Sequence, residues 1–156
     1  MSKPRVILAE DHVLVSEGLT KLLETDFTLV GTVADGRALV LAVKEHTPDI
    51  AIIDISLPLL NGLEAARQIK KCEPHTKLIF LTMHAEENFV RDAFKAGGSG
   101  YVLKQSATAE LVFAIKEVYQ GRTYVSPSVA QSIVNQALNP SSISKDDNGS
   151  NPSALT

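Results

Sequence analysis

Five residues able to do chemistry together follow or close short apolar runs in this sequence. Glu10 and Asp11 follow Arg5–Ala9, and Asp54 follows Asp49–Ile53. Thr82 closes Leu78–Thr82, and Lys104 follows Gly100–Leu103. Clustered carboxylates repel one another and raise each other's pKa unless a cation lies between them. A few oxygen ligands, with room for water and a phosphate oxygen, suit Mg2+. The expected metal ligands are Asp11, Asp54 and the backbone carbonyl near Ser56, with Glu10 holding a coordinated water. Phosphoryl transfer asks for positioning and for partners that neutralise charge on the equatorial oxygens more than for acid–base work. Mg2+, Lys104 and the Thr82 hydroxyl supply such partners, and Asp54 is the expected nucleophile, forming an aspartyl phosphate.

Taken singly, each residue has an ordinary explanation. Asp11 is a helix cap, Glu10 a solvated charge, Thr82 a β-branched strand residue and Lys104 a surface lysine. The chemistry therefore depends on elements that bring their positions to one edge.

The pattern provides such elements. Arg5–Ala9, Leu29–Val33, Asp49–Ile53, Leu78–Thr82 and Gly100–Leu103 are apolar without alternation, as strands buried on both faces should be. Between them run segments of helical period. Val15, Leu19, Leu22 and Leu23 mark the first, residues 36 to 46 the second, and Ala66 and Ile69 the third, which begins near Gly62. Val90, Ala93 and Phe94 mark the fourth, which ends at Gly97-Gly98. Leu111, Ala114, Ile115 and Val118 mark the fifth, closed by Gly121. Five strands alternating with five helices predict an α/β doubly wound parallel sheet of order 2-1-3-4-5. Such sheets carry their sites beyond the carboxyl ends of the strands, where the order reverses.

Residues 1–121 form this expected domain, and 122–138 read as a linker helix opened by Ser126-Pro127. The Ser-, Asn- and Asp-rich residues 139–156 read as a flexible linker. The 156 residues are 44% hydrophobic and 21% charged, with a net charge of −3, which excludes a largely disordered chain and a global basic footprint for nucleic acid. Cys72 is the single cysteine, so no internal disulfide framework exists and a reducing cytoplasm is expected. Neither a signal peptide nor a membrane span is legible.

Four stretches in order, VILAEDH at Val6–His12, DIAIIDISLPLLNG at Asp49–Gly62, LIFLTMH at Leu78–His84 and GGSGYVLK at Gly97–Lys104, resemble a response-regulator receiver domain. Gly100–Val125 most resembles the NarL/FixJ, or LuxR-type, class of two-component transcription regulators. The resemblance implies a flavodoxin-like receiver fold and a phosphorylation-controlled switch rather than an enzyme acting on other substrates. It implies Asp54 as phosphoacceptor, Glu10 and Asp11 as the acidic pair and Lys104 as the phosphoryl-binding lysine. It implies Thr82 as the switch hydroxyl and Tyr101 as the aromatic that turns inward with it. Ser56, Met83 and His84 flank the acyl phosphate and are expected to tune its lifetime. Pro58 stiffens the following loop and Gly62 is expected to give it backbone freedom.

The implied partners are a sensor histidine kinase and a second copy of the chain. Val112, Phe113 and Tyr119 lie off the main apolar stripe of the fifth helix. They either form the contact between copies or pack against the tail helix, and the first helix is a further candidate for that contact. Whether the tail helix is free or docked is left open by the sequence. DNA is expected to be reached only through a C-terminal helix-turn-helix domain absent from these residues, the ending Ser153-Ala154-Leu155-Thr156 resembling that domain's opening. A truncated piece of a longer regulator is therefore expected, ahead of a natural stand-alone receiver. Two rivals fit less well. An aspartyl-phosphate phosphatase wants a second acid two residues after the nucleophile, where Ser56 stands. A flavodoxin-like ligand binder wants a Gly-rich phosphate cradle, which the acidic loops lack.

Overall fold

The computed structural model describes residues 3–138. Strands β1 (Arg5–Ala9), β2 (Thr28–Val33), β3 (Ile50–Asp54), β4 (Lys77–Thr82) and β5 (Gly98–Leu103) alternate with five helices. These are α1 (Val13–Asp26), α2 (Gly36–His46), α3 (Gly62–Cys72), α4 (Glu87–Lys95) and α5 (Ala107–Tyr119). Beyond them come a two-residue strand β6 (Tyr124–Val125) and helix α6 (Pro127–Leu138). The sheet order is β2-β1-β3-β4-β5-β6, all parallel, so the expected order is present with one strand added at the β5 edge.

Alternation along the central strands builds two cores. Val6, Leu8, Ile50, Ile52, Ile79, Leu81 and Val102 face α1 and α5, joining Leu19, Leu23, Leu111 and Ile115. Ile7, Ala9, Ala51, Ile53, Leu78, Phe80 and Tyr101 face the other way, joining residues of α2, α3 and α4. Burial on both faces is why these strands lack a polar period.

Two expectations change. The first concerns β2, which is only half-buried because it is the edge strand and one side has no neighbour. The second concerns Val15, which is exposed although its period matched Leu19 and Leu23. It lies in the first turn of α1, beside exposed Val13 and Leu14, whereas the buried residues of the helix lie further along.

The tail is docked, not free. Helix α6 begins at Pro127, preceded by β6 rather than by further helix, and buries Val129 completely in the core cluster that holds Tyr101. The expected linker of residues 139–156 lies outside the described residues.

Candidate functional site

The sheet brings the five expected positions to one edge. Glu10 and Asp11 leave β1, Asp54 ends β3, Thr82 ends β4 and Lys104 follows β5. Register keeps them level, with Asp54 opposite Leu81 and Thr82 opposite Leu103.

Asp54 is almost wholly buried. Its Oδ1 accepts hydrogen bonds from the Ser56 backbone N–H and hydroxyl, both at 3.0 Å. Its Oδ2 accepts from Lys104 Nζ at 3.1 Å. Burial alone pushes the Asp54 carboxyl up. The Ser56 amide, the Lys104 ammonium and the Ser56 hydroxyl together outweigh it and hold the carboxyl below its ordinary value of 3.8. Lys104 Nζ also donates to Glu10 Oε2 at 3.1 Å. Burial pulls the ammonium down, but hydrogen bonds and attraction to Glu10 and Asp54 raise it above its ordinary value. Asp54 is therefore an anion and Lys104 a cation at neutral pH.

Glu10 departs from the solvated charge it would be in isolation, since its side chain is fully buried. Its Oε2 also accepts from the His12 backbone N–H at 3.1 Å and lies 2.8 Å from His12 Nδ1. His12 thus joins the cluster, a role for which the sequence carried no signal beyond its adjacency to Asp11.

Oxygen or nitrogen atoms of Glu10, Asp11, His12 and Asp54 lie within 4.8 Å of one another. Glu10 Oε1 and Asp11 Oδ1 are buried without a hydrogen-bond partner. Asp11 Oδ1 has His12 Nδ1 3.4 Å away. Buried carboxylate oxygens are costly to leave without a hydrogen bond, so two of them in one cluster fit a bound cation. Hard carboxylate donors with few protein ligands suit Mg2+.

Thr82 and Tyr101, the residues expected to switch, both hydrogen-bond to His84. Tyr101 is fully buried and its hydroxyl donates to the His84 carbonyl at 2.9 Å. Burial pushes its phenol up, while the nearby Thr82 hydroxyl pulls the other way. Thr82 is buried and its hydroxyl accepts from the His84 amide at 3.0 Å. The aromatic is thus inside while the hydroxyl is hydrogen-bonded to the β4–α4 loop. Met83 and His84 are exposed beside it, the His84 ring stacked on Phe89 at 4.2 Å.

Gly62 sits at the start of α3 without a positive φ, so backbone freedom is not its reason. A Cβ there would meet the Asp54 carbonyl oxygen at 2.6 Å and Ile55 Cα at 2.7 Å. Close approach, not flexibility, demands glycine. The loop before it is held at Gly36, whose N–H donates to the Pro58 carbonyl at 3.1 Å. Ser126, which bonds the β5 end, and Glu110, which accepts from the Ser126 hydroxyl, had no chemical signal in the sequence, where Ser126 read as a helix cap.

A family model for the response regulator receiver domain matches residues 6–116. The chain belongs to that family. Its relatives include the oxygen regulatory protein NreC of Staphylococcus epidermidis, 36% identical over 95% of this chain and 69% of that protein. The chain spans 64% of the NreC of Staphylococcus haemolyticus, at 36% identity. Among solved structures, a LuxR-family two-component response regulator from Aurantimonas superposes with a TM-score of 0.83 at 38% identity. The match covers 88% of this chain and 99% of that one. A structure of two RcsB dimers bound to two parallel DNAs matches at a TM-score of 0.76 and 28% identity, over 83% of this chain and 67% of that one. This receiver is thus of the NarL/LuxR type of two-component response regulator, a group concerned with transcription. Receivers are signalling switches, not classical enzymes. Among the described residues no helix is long and apolar enough to cross a membrane.

Proposed function

We propose that this receiver accepts a phosphoryl group on Asp54 from a sensor histidine kinase and relays the signal through conformation and self-association. One observation carries the reading: Asp54 Oδ2 lies at hydrogen-bond distance from Lys104, within a carboxylate cluster that has unpartnered buried oxygens. Asp11, Asp54 and the Ser56 carbonyl would hold Mg2+, with Glu10 beside them. When bound, the ion neutralises charge on the phosphoryl oxygens.

The chain's own groups do the rest. Asp54 is kept ionised and is oriented by Ser56 and Lys104. The phosphorus–nitrogen bond of the donor phosphohistidine breaks as the phosphorus–oxygen bond to Asp54 forms. The imidazole leaves with the electron pair and takes up a proton. Lys104 moves from the carboxylate to a phosphoryl oxygen. Thr82 releases the His84 amide and donates its hydroxyl proton to another oxygen, and Tyr101 stays inside behind it. Ser56, Met83 and His84 border the path by which water reaches the acyl phosphate, and so set its lifetime.

The added group brings about −1.5 to −2 units of charge, which is what biases the two-state equilibrium. Exposed Phe113 and Tyr119 on α5, and Val13 and Leu14 on α1, support self-association through these helices. The setting proposed is the cytoplasm, with DNA reached only through a further domain.

Incubation with Mg2+ and acetyl phosphate tests the reading by intact mass. One phosphoryl group is gained by the wild type. None is gained by Asp54→Asn or when Mg2+ is removed. No gain by the wild type from either acetyl phosphate or a phosphorylated kinase would overturn it.

A further inference from the structure

The tail does more than follow the receiver. Strand β6 pairs with the open edge of β5, Gly100 opposite Tyr124 and Tyr101 opposite Val125. The Ser126 N–H then donates to the Tyr101 carbonyl at 2.9 Å. The next ladder partner on that edge is the Leu103 N–H. The tail's backbone has by then turned away, because Pro127 opens α6. The Ser126 hydroxyl takes over, accepting from the Leu103 N–H at 3.0 Å. That hydroxyl in turn donates to Glu110 Oε1 on α5, which also accepts from the Tyr124 hydroxyl at 3.1 Å.

Ser126 is fully buried. Its hydroxyl is thus committed to β5 and α5. The helix start is served by its carbonyl, which accepts from the Val129 and Ala130 amides. The residue after Leu103 is Lys104, whose Nζ reaches Asp54 and Glu10 from a short 3-10 turn. A single residue therefore holds this end of β5 twice: its hydroxyl ties down the backbone on which the phosphoryl-binding lysine stands, and its backbone N–H holds Tyr101.

We propose that Ser126, held by Glu110, is a positioning residue for Lys104, so that residues 122–138 are a working part of the phosphoacceptor site. The proposal rests on the phosphoacceptor reading above. Loss of the Ser126 hydroxyl orphans the Leu103 N–H in a buried place. The β5 end then holds Lys104 less firmly. The proposed metal ligands leave β1 and β3, and the clasp reaches them only through the Lys104 hydrogen bonds to Asp54 and Glu10. The effect should therefore split between two ligands. Binding of trifluoroberyllate, which needs Lys104, weakens, while binding of Mg2+ does not. A hydrogen bond of ordinary net strength corresponds to a weakening of about three- to tenfold.

The experiment uses the full chain and its Ser126→Ala and Glu110→Gln variants. Calorimetry reads the Mg2+ affinity, then the trifluoroberyllate affinity at saturating Mg2+, and a thermal melt is run beside them. The expected result is an affinity for trifluoroberyllate about three- to tenfold lower in Ser126→Ala, with Mg2+ affinity within about twofold of wild type. A lowered melting temperature with both affinities unchanged overturns the proposal, leaving Ser126 a purely structural contact. If Ser126→Ala does not fold, Glu110→Gln carries the same comparison, because it keeps the packing and weakens the clasp. A wild type that binds Mg2+ but no trifluoroberyllate sinks the phosphoacceptor reading itself, which is a different failure.

Discussion

Gly62 lies so close behind Asp54 that a methyl group on it would come within 2.6 Å of the Asp54 carbonyl oxygen. The obstacle is backbone, not the end of a flexible side chain, so either α3 or the end of β3 must shift. Overpacking of this kind costs about 1–3 kcal/mol. Gly62→Ala is expected to lose that much in urea denaturation. It should also slow phosphorylation by acetyl phosphate, since Asp54 moves with its carbonyl. Unchanged stability and unchanged rate together would show that the loop yields freely.

Asp11 offers a complementary case. Its buried Oδ1 lacks a hydrogen-bond partner and lies in a cluster with Glu10 and Asp54. Such sites trade stability for function. Asp11→Asn is expected to raise the stability of the metal-free chain by about 0.5–2 kcal/mol, in the range typical when such strain is relieved. The same variant should lose most of the stabilisation that Mg2+ confers. Melts in EDTA and in excess Mg2+ read both effects, and a destabilised metal-free variant would contradict them.

Leu59 has a φ of 68° and an exposed side chain in the loop after Asp54. A left-handed conformation costs a non-glycine residue about 1–2 kcal/mol, offset in part by the greater chain entropy of glycine. Leu59→Gly is therefore expected to be neutral or stabilising by up to about 1 kcal/mol. A clear destabilisation in urea titration would mean that the leucine side chain contributes packing not evident from its exposure.

Tyr124 carries a pH dependence. Burial first, then the hydrogen bond to Glu110 and its charge, push the phenol up from 10.0 to about 12. A pKa raised by folding stabilises the fold below the ordinary value and ceases to do so as pH rises through the folded value. Stability from this group is thus intact below pH 10.0 and lost toward about pH 12. Tyr124→Phe keeps the edge contact with Phe113, whose ring centroid is 5.8 Å away, and removes the titration. The difference in stability between wild type and variant should shrink across that window; a constant difference would refute the assignment.

Much of this was legible in the residues. Strands β1, β3 and β4 are buried on both faces, so their unbroken apolar runs marked them, and the polar residues at their ends marked the site. The half-buried β2 was found by composition, although its edge position left it outside that rule. Strand β6 was not legible because two residues carry no period, and its existence depends on the open edge of β5. Ser126-Pro127 has the local form of a helix start, so the bond from Leu103 to the Ser126 hydroxyl was hidden. Gly62 looked like a turn glycine because its crowding comes from Asp54, eight residues earlier in the chain. Local patterns showed the elements; contacts between distant residues decided what Ser126, Glu110 and Gly62 do.

The central claim is that Asp54 carries the phosphoryl group, and borohydride trapping tests it most directly. The reagent reduces an acyl phosphate to an alcohol, leaving a stable mass change at the modified carboxylate. After treatment with acetyl phosphate and Mg2+, peptide mass mapping should place that change on Asp54 alone. A trapped product on Glu10 or Asp11, or none when phosphoryl incorporation has been measured, would contradict the account.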